Sequence, residues 1–444
     1  MDNLVAVFKS KEVLKKILFT LLAFLIYKAA TYITIPLVNP DSITQFFTDN
    51  DGGLVGMANA LTGNALKQYS IIALGIGPYI TASIVVQLLQ MDIVPILKEW
   101  AEEGETGKQK INQLTRYLAI GLAFAQALAM TLAFELNGGG ILDVGVDASF
   151  VVYVYIAIIM TGGTAFLLWL SDQITLRGIG NGTSMIIVAG IVSIMPNMFV
   201  SLYQRYIMGM SDQGVADAYA VGWETYLTFG IVVLLYISVI FFVTVMQAAT
   251  RKIPIQYSNR PASAKFQGKS DSNIPLKINS AGVIPVIFAV TLLSIPSTIM
   301  GLIPNMNARL SAWLLQIFTY TEPAGYALYV GLIFVFAFFY AFVQINPEKI
   351  AKNLQNQKAY IPGVRPGVET ENYISKTLFR ITIVGATYLV LVASLPIFAT
   401  MIFDLPSYVQ VGGTSLLIVV GVAIETTKQI KTQTQEQTYS GFIK

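Results

Sequence analysis

Long apolar blocks alternate with short polar, charged stretches along almost the whole chain. Ten blocks are long enough for a spanning helix, near 16–36, 69–90, 114–134, 150–170, 182–200, 226–249, 281–303, 324–345, 378–403 and 410–426, since about 20 apolar residues cross the hydrocarbon of a bilayer. The pattern predicts an all-α polytopic membrane protein. The blocks at 182–200 and 410–426 are short and glycine-flanked, which suits tilted helices packed around a common centre. One stretch departs from the pattern. From Gly52 to Gln90 a glycine-rich, weakly amphipathic segment, with Leu54, Met57 and Leu61 at helical spacing, runs into an apolar block interrupted by Gly75, Gly77 and Pro78. Broken backbone at membrane depth is tolerated where protein buries it or where it lines a cavity, so this stretch is a candidate pore element.

Composition narrows the chemistry. Residues are 55% hydrophobic and 12% charged, far too apolar for a soluble protein, and the chain has neither Cys nor His. No disulfide, thiolate or imidazole site is therefore available, and no catalytic residue, metal site or cofactor is expected. The lysines at 9, 11, 15 and 16 ahead of residues 17–35 resemble a signal-peptide start, but the apolar run is too long and lacks a small-residue cleavage site. A retained first span is expected.

Loop charge gives the orientation. Lys and Arg concentrate in the N-terminus and in the loops around 91–114, 171–180, 250–280, 346–377 and 427–444, while the alternate loops hold only Lys67, Arg205 and Arg309 among many aspartates. By the positive-inside rule both termini are cytoplasmic, which requires an even number of spans. Division at the polar segment 197–226 leaves five spans on each side, in residues 1–210 and 211–444. An odd number per half inverts the second half relative to the first, and inverted repeats place their functional path between the halves. The halves share no evident sequence identity, so this expectation rests on topology.

Two cytoplasmic loops are unusually long. Residues 250–279 carry Arg251, Lys252, Arg260, Lys265, Lys269 and Lys277 against a single Asp271, in alternating segments that predict a hairpin. Residues 346–376 contain a helical run and then a rigid turn at Pro362, Gly363, Arg365, Pro366 and Gly367. Topology and anionic lipid explain the charge. They do not explain the length and punctuation, which suit a docking platform for a cytosolic partner.

Six blocks stand in order along the chain: ALGIGPYITASIVVQLLQ from Ala73, EWAEEGETGKQKINQLTRY from Glu99, RGIGNGTS from Arg177, IPLKINSAGVIPVIFA from Ile274, IPGVRPG from Ile361 and GGTSLLIVVGVA from Gly412. Together they resemble the SecY family, the channel subunit of the bacterial Sec protein translocase, over essentially the whole length. The resemblance implies ten transmembrane helices in two five-helix inverted halves, forming an hourglass pore hinged between the fifth and sixth spans. It implies a plug around 55–63, including Val55, Met57, Leu61 and Gly63, and a lateral gate between the second and seventh spans. A constriction ring falls on Ile76, Ile80, Ile187, Ile191, Ile287 and Ile418. The implied function is translocation of unfolded secretory polypeptides across the bacterial plasma membrane and lateral release of transmembrane segments. Implied partners are the SecE and SecG subunits, the SecA motor ATPase, a translating ribosome, signal sequences with their nascent chains, and the surrounding lipid bilayer. Arg365 matches a position important for SecA engagement, and the basic groups of 250–280 are expected to dock motor or ribosome.

Every ring position is isoleucine, and the pairs 76/80 and 187/191 lie one helical turn apart on one face. Such a collar answers a physical problem. A polypeptide in hydrocarbon would strand backbone groups at several kcal/mol each, so it needs a wet funnel, yet an open funnel leaks ions. Branched apolar side chains dewet when the pore is empty and deform around a chain of any sequence. A gate that must part is expected to contain polar residues, and Thr81, Ser83, Gln87, Gln126 and Asn279 are the candidates.

Some positions depart from the bacterial pattern. Gly77 stands where Met is common, Lys28 replaces Arg inside an apolar run, and KAYIPG lacks a glycine pair. Nothing in the chain supplies chemical energy: SAKFQGKS at 263–270 lacks the first glycine of a P-loop and no strand precedes it, and RGIGNG reads as a tight turn before the fifth span. The alternative from another class is a secondary transporter with inverted repeats. A transporter requires ionisable groups near the midplane, where this sequence places isoleucine.

Overall fold

The computed structural model describes residues 11–39, 43, 59, 62–90, 94–138, 150–209, 223–257, 272–301, 308–319, 322–403 and 407–440. The predicted plug residues Val55, Met57 and Leu61 and the docking residues Arg260, Lys265 and Lys269 lie outside them. Ten helices coincide with the ten apolar blocks: α1 (Lys11–Thr31), α2 (Gly77–Leu89), α4 (Glu105–Gly138), α5 (Phe150–Arg177), α6 (Gly182–Tyr206), α7 (Trp223–Ala248), α8 (Ile284–Gly301), α10 (Pro323–Gln344), α12 (Val368–Phe403) and α13 (Ser407–Ser440). Shorter helices α3 (Pro95–Glu102), α9 (Ala308–Phe318) and α11 (Pro347–Asn356) lie between them. Among the described residues six helices, α4, α5, α6, α7, α10 and α12, are long and apolar enough to cross a membrane.

The second block differs from its expected span. Helix begins only at Gly77, and residues 62–76 form a series of turns. The local cause is a positive φ of 57° at Gly75 followed by Pro78 in the first helical turn, a backbone path no helix can follow. This irregular segment is nevertheless buried: Ala65, Tyr69, Ile72 and Ala73 have almost no exposure. Its backbone is satisfied from the chain after α1, with the Ile35 amide donating to the Tyr69 carbonyl (3.1 Å) and the Ile71 amide to the Ile33 carbonyl (3.0 Å). The side chains pin it as well. Tyr27 donates to the Thr62 carbonyl (2.7 Å) and Tyr69 to Thr131 Oγ1 on α4 (2.8 Å). Replacing Tyr69 by Phe is expected to cost about 1 kcal/mol, the usual net value of a buried hydrogen bond, read as a drop of a few degrees in the unfolding midpoint in detergent.

The two long basic loops meet in one sheet. β1 (Thr250–Tyr257) and β2 (Ser272–Lys277) form the predicted hairpin, with Lys252 opposite Pro275. The second loop contributes β3 (Ala359–Tyr360), antiparallel to the end of β1 with Gln256 opposite Tyr360, so the strand order is β2-β1-β3. Ile253, Leu276, Leu354, Ala359, Ile361 and Ile374 make a small core under this sheet. The strand β3 has no sequence signal. Two residues cannot show alternation, and its pairing is decided by the core beneath it.

Candidate functional site

The ring positions come together at the centre of the bundle. Ile187 and Ile191 of α6, Ile287 of α8 and Ile418 of α13 are buried in one apolar cluster that also contains Ile84 of α2, and half-buried Ile80 packs against it. Ile76 belongs to the neighbouring cluster with Ile72 and Ile186, against which Ile80 also packs. Ile80 thus joins the two groups, which draw these isoleucines from α2 and the turn before it, α6, α8 and α13. Ile187 and Ile191 are an i, i+4 pair within α6 and stack on one face, and Ile76, just before α2, stands one turn from Ile80 through the Ile80 amide to Ile76 carbonyl bond (3.1 Å).

A polar cavity of about 540 Å³ adjoins the collar. It is lined by Tyr79, Arg116, Asp172, Ser184, Val422 and Glu425, among others. Tyr79 precedes Ile80, Ser184 lies a turn before Ile187, and Val422 lies a turn beyond Ile418, so the cavity wall runs directly into the apolar layer. Arg116 of α4 and Asp172 of α5 pair across its wall at 2.9 Å. Partly open to solvent on both sides, this pair stabilises by a fraction of a kcal/mol. Arg116 belongs to the block from Glu99, but no motif marks Asp172, whose lone charge near the end of α5 reads as ordinary loop chemistry.

The turn RGIGNG closes the floor between α5 and α6. Four of its amides are engaged within the protein: Gly178 to the Ile174 carbonyl (2.8 Å), Ile179 to Thr20 Oγ1 (3.1 Å), Gly180 to Gln429 Oε1 (2.9 Å), Gly182 to Thr175 Oγ1 (2.9 Å). Asn181 caps α6 by accepting from the Thr183 amide (3.1 Å). A phosphate cradle needs such amides free, so these glycines are structural. They tie α1, α5, α6 and α13 together beside the cavity.

Of the predicted plug, Gly63 is described. It has φ 69°, and a Cβ there would sit 2.9 Å from both the Tyr27 hydroxyl and the Gly190 Cα, next in sequence to Ile191. The chain at Gly63 is therefore clamped between α1 and α6, beside Ile191. Buried Asn59 supports it, donating to Asn64 Oδ1 (3.0 Å) and accepting from the Lys67 amide (3.0 Å).

The gate candidates flank one seam. α4 packs against both α2 and α8, and α2 against α8. Their polar groups bond within their own elements: Thr81 to the Gly77 carbonyl (3.2 Å), Gln87 to Ser83 Oγ (3.0 Å), and Asn279 to the Gly282 carbonyl (3.0 Å). Gln126 is half-buried on α4, and the Gln87 Oε1 is buried without a partner. The contact across α2 and α8 is instead apolar, Ile84 and Ile287 sharing one cluster. Arg251, Lys252 and Arg365 are exposed on the three-stranded sheet and the adjoining turn, where the Arg365 carbonyl accepts from Thr370 Oγ1 (2.8 Å). Lys28 occupies the last turn of α1, its ammonium 5.1 Å from the Tyr32 ring centroid, a placement that eases its desolvation.

This arrangement has the fold of a membrane-embedded protein-conducting channel. A solved structure described as "The structure of a protein conducting channel" superposes with TM-score 0.63 and 17% identity, covering 95% of this chain and 93% of that one. Sec61 in a canine ribosome-channel complex from the endoplasmic reticulum superposes with TM-score 0.61 over 95% of this chain and 93% of that one, again at 17% identity. The SecY family model matches residues 70–427, and protein translocase subunit SecY of Staphylococcus carnosus is 47% identical over 99% of both chains. The Halalkalibacterium halodurans SecY subunit is 43% identical over 99% of this chain and 98% of its own. The chain belongs to the SecY family.

Proposed function

We propose that this chain is the channel subunit of a bacterial Sec translocase, conducting unfolded polypeptides across the plasma membrane and releasing transmembrane segments sideways into lipid. The observation that carries this reading is a polar cavity that runs into a cluster of buried isoleucines, Ile187, Ile191, Ile287 and Ile418, with Ile80 packed against it: water in such a cavity would solvate the backbone of a passing chain, and an apolar constriction would exclude ions when empty. The relatives are translocase subunits, which favours the channel over the transporter. In this reading Ile76, Ile80, Ile187, Ile191, Ile287 and Ile418 form the seal. The segment that includes Val55, Met57, Leu61 and Gly63 plugs it. The halves 1–210 and 211–444 part along α2 and α8, where Thr81, Ser83, Gln87, Gln126 and Asn279 tune the strength of the seam. Because that seam is closed by apolar contact, an apolar signal helix replaces what it separates at little cost.

The energy source lies outside the chain. Both termini and the joined sheet of the two long loops face the cytoplasm, where Arg251, Lys252, Arg260, Lys265, Lys269 and Arg365 receive a motor of the SecA kind or a ribosome, and SecE and SecG complete the assembly. The pairing of β3 with β1 makes the platform one body, so a load on the Arg365 turn also reaches the hairpin that leads into α8.

The absence of native cysteine makes the test direct. Single cysteines at Ile80, Ile187 or Ile287, in vesicles with motor and ATP, are expected to crosslink to a secretory chain stalled midway, while a cysteine at lipid-facing Leu391 is not. Stalled chains that never touch the collar while a small solute still crosses would sink the channel reading.

A further inference from the structure

A second cavity, of about 310 Å³, lies away from the pore and is lined by Phe342 of α10 and Ser375, Lys376, Phe379 and Arg380 of α12. Its position in the sequence fixes its depth. The apolar block of α12 begins at 378, so Lys376 and Arg380, both exposed, straddle the edge of the hydrocarbon about one helical turn apart. The surface around Arg380 is apolar and faces outward, with Phe379, Ile383 and Val384 each exposed. Phe379 is also braced by Phe338 at a centroid distance of 5.1 Å, so the aromatic wall is fixed in place.

Lys376 and Arg380 are an i, i+4 pair on one face, and among the described residues neither makes an ion pair. The acidic groups of the helix, Glu369 and Glu371, stand back in its first turn. Two cations at the membrane edge with no carboxylate among the described residues to meet them attract an anion from the bilayer. The cavity offers one kind of occupant a complete fit: two cations and a hydroxyl for a phosphate group, and two phenyl rings for the chain attached to it.

We propose that this pocket binds an anionic phospholipid, its phosphate held between Lys376 and Arg380 with Ser375 donating, and an acyl chain lying along Phe342 and Phe379. This rests on the membrane-spanning placement of α12 and not on the channel reading. Basic pockets between helices at the cytoplasmic face of a bilayer suit such headgroups. The bound lipid would fasten α10 to α12 just below the cytoplasmic sheet, where α12 carries part of the sheet's core through Ile374.

The test uses the full chain with its accompanying subunits, purified from mixed micelles holding equal phosphatidylglycerol and phosphatidylcholine, with bound lipid counted by native mass spectrometry. Wild type is expected to retain phosphatidylglycerol preferentially, and Lys376→Gln with Arg380→Gln to lose that preference by about thirtyfold, two charges near an anionic headgroup. The charge-keeping pair Lys376→Arg with Arg380→Lys should retain it, which guards against misfolding, and Arg251→Gln with Lys252→Gln on the cytoplasmic sheet should leave it intact. Free inorganic phosphate at the same concentration should not compete. Equal retention of the two lipids by wild type, an unchanged preference in the Gln pair, or displacement by free phosphate would each overturn the proposal. The first outcome would assign the pocket to a carboxylate of a neighbouring subunit.

Discussion

Serine at both Ile187 and Ile191 is expected to turn the resting protein into an ion leak. The two isoleucines are buried one turn apart in the collar with Ile287 and Ile418. Each contributes roughly 1.5–3 kcal/mol of apolar character, and each serine adds a hydroxyl to which water can bond. A constriction that gates by dewetting loses its barrier when its walls hold water. A reduction of about 3 kcal/mol corresponds to about a hundredfold in flux. Conductance of the reconstituted complex, without motor or substrate, measures it directly. Valine at the same two positions keeps the wall apolar and should keep the leak near that of wild type. A serine pair as tight as wild type would locate the seal elsewhere, with the segment around Gly63 as the next place to look.

The second large effect concerns assembly. Gly163 of α5 lies directly under the irregular segment before α2, and a Cβ there would run into the Ile71 carbonyl carbon and oxygen. Its neighbour Gly162 has open space at the same position. Gly163→Ala is therefore expected to force α5 away from residues 71–72, breaking the packing of buried Ile72 and Ala73, with a cost of about 3 kcal/mol or more from overpacking and lost burial. Gly162→Ala should be neutral or slightly stabilising, because alanine is the better helix former. Membrane abundance and resistance to added protease should fall sharply for the first and stay unchanged for the second. Equal behaviour of the two would mean that the segment 62–76 does not rest on α5 as described.

Both predictions concern a part of the chain whose order along the sequence is plain and whose depth in the fold is not. The segment at 69–90 shows the division: its apolar composition places it in the membrane, but Gly75 and Pro78 delay the helix until Gly77, and the bonds to residues 33–35 that make the detour tolerable are long-range. The gate candidates show it again. Polar residues on α2 and at the start of α8 are evident by inspection, whereas the bonding of Thr81, Gln87 and Asn279 within their own elements depends on rotamers and neighbours. Asp172 and Glu425 went unmarked because nothing local distinguishes a cavity wall from any other polar helix face, and Arg116, though inside the block from Glu99, was given no role there.

By itself the sequence determined the ten apolar blocks, the charge asymmetry between alternate loops, the hairpin of the first long loop and the i, i+4 spacing of the ring isoleucines. These are properties of composition and short-range periodicity, and the cost of exposing backbone and charge to hydrocarbon enforces them residue by residue. Tertiary structure alone decided that Ile80 joins two apolar clusters, that Gly163 supports a non-helical strand of backbone, that β3 binds the two loops into one sheet, and that Lys376 and Arg380 share a pocket with Phe342. Each of those facts is a contact between segments far apart in the chain, and its energy exists only once the intervening helices have packed.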